Sequence, residues 1–266
     1  IPGPVIGSRV RTTNLPWEID GNRLERSLGC PVVLLNDLEA AAHGVLTLGL
    51  EALVPLQSGQ PDAAGHRAVI AAGTGLGQAL LVHKPSSSRG GVGELVPTAS
   101  EGGHTDFAPR DEEEIELWRF LRQRHGHVSY ERIVSGPGLV ALYEFYAARL
   151  GEGEPPWRQQ TDRAQAITEA AARGVSKAAH EAVERFCSVY GAEAGNLALK
   201  TLARGGVYVA GGIAPKMLSF LQSGSFIAAF RDKGRYRDLM EQIPVLVVLD
   251  EAVNLRGAAH AAAGLR

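Results

Sequence analysis

Two short segments carry side chains suited to chemistry on a polar, hydroxyl-bearing ligand. Asn36-Asp37 closes the aliphatic run Pro31-Val32-Val33-Leu34-Leu35. A carboxylate held just past the end of a strand can take a proton from a substrate hydroxyl. Asn and Asp are also favoured helix N-caps, and the Ala-rich stretch at residues 38–46 invites a helix, so the dipeptide alone leaves both roles open. Glu101-Gly102-Gly103-His104 sets two glycines between a carboxylate and an imidazole, a spacing that lets both side chains address one ligand. A structural zinc site fits poorly, because Cys30 and Cys187 are far from it and from each other.

Two glycine-rich segments suit an anion or a nucleotide. In Gly73-Thr74-Gly75-Leu76-Gly77 the glycines let backbone N–H groups approach an anion, and the Thr hydroxyl adds a donor. The spacing is G-x-G-x-G with a strand after it, which is neither the dinucleotide fingerprint nor a P-loop. A plain hairpin turn is the competing account. Gly211-Gly212 follows the apolar run at residues 206–210; it would let a flat base or ribose lie against the backbone, or simply make a tight turn. The acidic run Asp111-Glu112-Glu113-Glu114 fits the first turn of a helix, where the helix dipole favours negative charge.

The elements that must position these segments follow from hydrophobic pattern and punctuation. Runs at residues 31–35, 67–72, 78–83, 95–98, 206–210 and 243–249 read as strands. Helical patterns cover residues 38–46, 111–150 with breaks near Gly126 and Ser135-Gly136-Pro137-Gly138, 164–202 with an interruption near Gly174, a start near Pro215, and 255–265. The Ser/Gly-rich residues 86–91 read as a flexible connection. Alternating strands and helices imply an α/β fold. A hairpin around a glycine-rich loop implies a mixed sheet with helices on both faces. Asn36-Asp37 and Gly211-Gly212 then fall at strand ends, where α/β folds gather ligand groups.

The chain has 266 residues, enough for two domains. A net charge of -2 with no dominant basic patch argues against nucleic acid or an anionic membrane surface as the main partner. Two distant cysteines suit a reducing compartment. The longest apolar stretch, residues 68–82, is broken by glycines and a glutamine and cannot span a bilayer. The chain opens Ile1-Pro2-Gly3-Pro4 without an initiator Met and reads as starting inside a domain.

The order of the segments is more specific than any one of them. Leu34-Leu35-Asn36-Asp37, Ala72-Gly73-Thr74-Gly75-Leu76-Gly77 and Glu101-Gly102-Gly103-His104-Thr105-Asp106-Phe107-Ala108-Pro109 are followed by four more motifs. These are Gly126-His127-Val128-Ser129-Tyr130-Glu131-Arg132, Ser135-Gly136-Pro137-Gly138-Leu139, Gly195-Asn196-Leu197-Ala198-Leu199 and Ala210-Gly211-Gly212-Ile213. In this series the chain resembles the bacterial glucokinase family, within the hexokinase and actin group of ATPases. The resemblance implies a two-domain, actin-like ATPase fold of the ribonuclease H type. Residues 1–47 with 250–266 would form the small domain and residues 48–249 the large one. It implies transfer of the ATP γ-phosphoryl group to the 6-hydroxyl of glucose, with Mg2+ accompanying the nucleotide, in a cytoplasmic homodimer.

Residue by residue, Asp37 matches the family's catalytic base. Asn36, Glu101, His104 and Glu131 match residues that hydrogen-bond the other sugar hydroxyls. Gly73, Thr74 and Gly75 match the second phosphate-binding loop, and Gly211 and Gly212 the adenosine-binding motif. The first phosphate loop of such kinases, an Asp-x-Gly-Gly-Thr hairpin, does not occur in these 266 residues; the expectation is that the natural protein carries it upstream. Two alternatives are a ROK-type sugar kinase and a catalytically silent sugar-binding regulator. The first carries a Cys-rich zinc motif, which the two distant cysteines do not supply, and the second is expected to lack the base that Asp37 matches.

Overall fold

The computed structural model describes residues 1, 3–12, 16–86, 93–155 and 157–265. Residues 87–91 of the expected flexible connection lie outside the described residues. The strands are β1 (Val5–Ile6), β2 (Arg9–Arg11), β3 (Glu18–Asp20), β4 (Leu53–Gln57), β5 (Arg67–Ala72), β6 (Leu76–Lys84), β7 (Glu94–Ser100), β8 (Gly206–Ala210) and β9 (Val245–Val248). The longer helices are α1 (Gly21–Leu28), α2 (Asp37–Val45), α3 (Glu112–His125), α4 (Gly136–Leu150), α5 (Arg163–Ala172) and α6 (Lys177–Thr201). Four short helices follow, α7 (Ile213–Lys216), α8 (Leu218–Leu221), α9 (Ser225–Arg231) and α10 (Arg237–Gln242), before α11 (Val253–Ala263).

Six strands form one mixed sheet in the order β4-β9-β8-β5-β6-β7. β5 runs parallel to β8 and β8 to β9, while β5–β6, β6–β7 and β4–β9 are antiparallel. The central strands are apolar at nearly every position because helices cover both faces. Successive side chains alternate between two apolar cores. Ala68, Ile70, Val207 and Val209 enter the larger core with α4, α5 and α6. Val69, Tyr208 and Ala210 enter the smaller one with Leu38, Ala41 and Val45 of α2 and Val253 of α11. A separate three-stranded sheet, β1-β2-β3, precedes α1, whose N-cap is Asp20.

α2 and α11 cross at very short range because glycines meet there. A Cβ on Gly44 would overlap the Val253 carbonyl oxygen, and one on Gly257 would overlap that of Ala40. No helix among the described residues is long and apolar enough to cross a membrane.

One expected strand is absent. Residues 31–36 carry no ladder. Their backbone contacts are isolated: the Ile1 amino group donates to the Leu35 carbonyl, and Asp37 N–H to the Ile1 carbonyl. An aliphatic run becomes a strand only where a neighbour pairs with it. The acidic run opens α3 as expected, with Asp111 as N-cap. The helix dipole is only part of its setting. Arg185 pairs with Asp111, Glu113 and the fully buried Glu114, and Arg110 also pairs with Glu114.

Candidate active site

Asn36 has an extended backbone and caps α2, its side-chain oxygen accepting the Leu38 N–H at 2.8 Å. Its amide nitrogen donates to the Gly3 carbonyl at 3.1 Å. The cap is therefore Asn36, and Asp37 occupies the first helical position. One oxygen of Asp37 accepts the Leu38 N–H at 3.0 Å. The other has no hydrogen-bond partner among the described residues. Asp37 is half-buried.

The β5–β6 hairpin pairs Ala72 with Leu76, so the turn is Gly73-Thr74-Gly75. Gly73 N–H donates to the Gly75 carbonyl, and the Gly73 carbonyl accepts the Gly136 N–H, both at 2.8 Å. The turn is thus tied to the start of α4. Glu131 lies against it, accepting the Leu76 N–H at 3.0 Å. A Cβ on Gly75 would stand 2.5 Å from that same carboxylate oxygen, so glycine there makes room for Glu131.

His104 sits between two carboxylates. Its Nε2 is 3.9 Å from Glu101 and its Nδ1 is 3.8 Å from Glu131. These separations exceed direct hydrogen bonds and suit groups that each pair with a ligand hydroxyl. Gly102 and Gly103 have a more specific reason than side-chain freedom. A Cβ on the first would overlap the Gln78 side chain, and one on the second the Leu76 carbonyl oxygen. The 101–104 turn lies directly on β6, and at Gly103, where the neighbour is backbone, only glycine permits that approach.

One cleft of about 580 Å³ is lined by Asn36, Asp37, Gly73, Thr74, Gly75, Glu101, His104, Glu131 and Gly211. It lies beyond the carboxyl ends of the parallel strands β5 and β8. The remaining expected residue, Gly212, lines an adjoining chamber of about 1010 Å³, whose wall shares Gly73 and Thr74 and includes Arg163 and Lys216. Gly211 has φ +86°, and a Cβ there would come within 2.5 Å of the Ala72 carbonyl oxygen, so only glycine suits. Gly3, Ser100 and Asn254 also line the cleft, and sequence reasoning missed them. Ser100 had a signal, since it precedes Glu101 and its hydroxyl accepts the Gly102 N–H at 3.0 Å. Asn254 had none, because only the packing of α11 beside α2 brings it there.

A mixed sheet between helices, with carboxylates and an imidazole on one side of a strand-end cleft and a glycine-lined chamber on the other, defines a kinase of the actin-like ATPase fold. The comparisons with known proteins narrow this class. The family model for glucokinase matches residues 1–265. A glucokinase of Synechocystis sp. is 44% identical over 281 residues, covering 99% of this chain and 78% of that protein. The crystal structure of a glucokinase from an Antarctic psychrotroph superimposes with a TM-score of 0.84 at 31% identity, covering 99% of this chain and 79% of that one. The glucokinase of Balamuthia mandrillaris, solved in complex with glucose, shares the fold with a TM-score of 0.81 at 24% identity, covering 99% and 76% of the two chains. The chain belongs to the glucokinase family.

Proposed function

We propose that the protein phosphorylates glucose at its 6-hydroxyl, with MgATP as donor and Asp37 as the base. One observation carries this reading. Asp37, the 73–75 turn and the Glu101, His104 and Glu131 side chains, far apart in sequence, line a single cleft. The unpartnered oxygen of Asp37 accepts the hydroxyl proton as the sugar oxygen bonds to the γ-phosphorus. The bond from that phosphorus to the bridging oxygen breaks, and its electrons leave with ADP. Glu101, His104 and Glu131 pair with the other hydroxyls, so a sugar lacking one leaves a polar group unpaired. Asn36 can offer its remaining amide N–H after capping α2.

The 73–75 turn faces the phosphates with backbone N–H groups and the Thr74 hydroxyl, and the chamber beside Gly211 and Gly212 takes the adenosine. Magnesium accompanying the nucleotide would offset charge on the transferring group. Most of the rate comes from positioning and electrostatics.

The same reading divides the molecule into residues 1–47 with 250–266 and residues 48–249. In its support, Gly3, Asn36, Asp37, Leu38 and Asn254 come to the cleft from the first set, and the other lining residues from the second. The free cysteines, Cys30 and Cys187, suit a cytoplasmic protein, and a homodimer is the proposed assembly.

The test is ADP release across a panel of hexoses, with wild type and Asp37→Asn compared. The substitution lowers kcat by about 10²- to 10⁴-fold and leaves glucose affinity within a few-fold. Undiminished turnover by Asp37→Asn would remove the proposed base.

A further inference from the structure

Behind the cleft, α6 presents three polar side chains at intervals of three residues, and each leads to a different wall. The Tyr190 hydroxyl accepts the Ala72 N–H and donates to the Ile70 carbonyl, both at 3.2 Å, holding the strand that ends in Gly73. Glu193 is fully buried. Its carboxylate accepts Gln78 Nε2–H at 2.8 Å and Asn196 Nδ2–H at 2.9 Å. Asn196 Nδ2 also donates to the Tyr130 hydroxyl at 3.0 Å.

The hydrogen bonds of Glu193 explain how a carboxylate can stand there. Burying a carboxylate is costly unless its oxygens are paired. An ionised carboxylate only accepts, so two amides that meet it must both present N–H groups. This fixes which way each amide faces. With its nitrogen on Glu193, Gln78 turns its oxygen toward Gly102, where the 101–104 turn rests on it. With its nitrogen on Glu193 and Tyr130, Asn196 anchors the residue that precedes Glu131. Lys233 supplies nearby positive charge; burial holds its ammonium below the usual range, Arg110 adds to this, and Asp232 and Glu193 oppose it.

We propose that Glu193 is a positioning residue for sugar binding, orienting Gln78 and Asn196 so that Glu101, His104 and Glu131 stand at their places in the cleft. The proposal rests on the reading of that cleft as the sugar site. Glu193→Gln brings a donor where two donors already converge, so one amide must turn away. The glucose KM then rises about tenfold, while the ATP KM stays within about twofold. The pair Gln78→Glu with Glu193→Gln restores one donor and one acceptor between these positions and recovers most of the loss. Asn196→Ala removes the contacts to both Tyr130 and Glu193 but leaves Gln78 on Glu193, and gives a smaller rise of the same kind.

A merely structural role predicts a different pattern. Leu142→Ala, in the core beneath α4, lowers the melting temperature without a selective change in glucose KM. If Glu193→Gln moves both KM values together, as a general loss of fold would, or leaves glucose KM at the wild-type value, the proposal is overturned. Should Glu193→Gln fail to fold, an unchanged glucose KM in Asn196→Ala overturns it equally. A wild-type protein that binds no sugar would overturn the sugar site and this proposal together, and that is seen before any variant is made.

Discussion

Asp37 owes its availability to the residue before it. The first turn of a helix leaves N–H groups without partners, and a side chain at the N-cap must serve them. Asn36 does so, which leaves one Asp37 oxygen without a partner among the described residues, as the proposed base requires. Asn36→Ala is therefore expected to cost about 1 kcal/mol in urea unfolding and to lower kcat as well, because a frayed first turn misplaces Asp37. Gly75 works in the same spirit, through the space it leaves. Gly75→Ala puts a methyl group against the Glu131 carboxylate. Its effect is expected in steady-state kinetics as a raised glucose KM, with far-UV circular dichroism unchanged.

At the scale of elements, the site depends on how closely helices approach one another and the sheet. α2 carries Asp37, and α11 holds α2 down through the crossing at Gly44 and Gly257. Gly257→Ala drives a methyl group into the Ala40 carbonyl. Overpacking of this kind costs about 1–3 kcal/mol. Here it also shifts the helix that bears the proposed base, so kcat is expected to fall together with the denaturation midpoint. Restored activity in the Gly257→Ala protein at lower temperature would separate simple unfolding from displacement of α2. The partly buried cluster around Arg185 plays a different part. It joins the start of α3 to α6, and so supports from below the helix that carries Glu193.

For the whole molecule, the seam between α2 and α11 makes stability depend on pH. His43 lies in that seam with its ring 5.8 Å from that of His260, and its Nδ1 is buried without a partner among the described residues. Burial, then the charge of His260, holds the His43 pKa below its usual 6.5. The unfolded chain therefore takes up this proton at a higher pH than the folded one. The contribution is fully present above about pH 6.5 and is lost as pH falls through the lower folded value. The melting temperature is expected to drop between about pH 7.5 and about pH 5.5, and His43→Gln is expected to flatten that part of the profile. An unaltered slope in His43→Gln would assign the pH dependence to other groups.

Local pattern was enough to place most of the scaffold. Residues 67–72 and 206–210 are buried on both faces, and such strands write themselves as unbroken apolar runs. Glycine at residues 126, 151 and 174 marks helix ends or breaks at positive φ, which is a local backbone requirement. The candidate site residues came from the order of their motifs along the chain and the family that this order resembles. The strands β1 to β4 and helix α1 were not anticipated, and three further features depend on contact between distant segments. Residues 31–36 have the composition of a strand but pair with no strand among the described residues. Gly103 is required by the surface of β6, which no local window contains. Asn254 reaches the cleft only through the crossing of α2 and α11. Sequence by itself determined which residue types could do the chemistry and roughly where strands and helices run, because propensity and periodicity are local. Only the tertiary structure decided which side chains share the cleft, that Asn36 rather than Asp37 caps the helix, and that α6 braces the walls, because burial and hydrogen-bond pairing are settled between segments far apart in the chain.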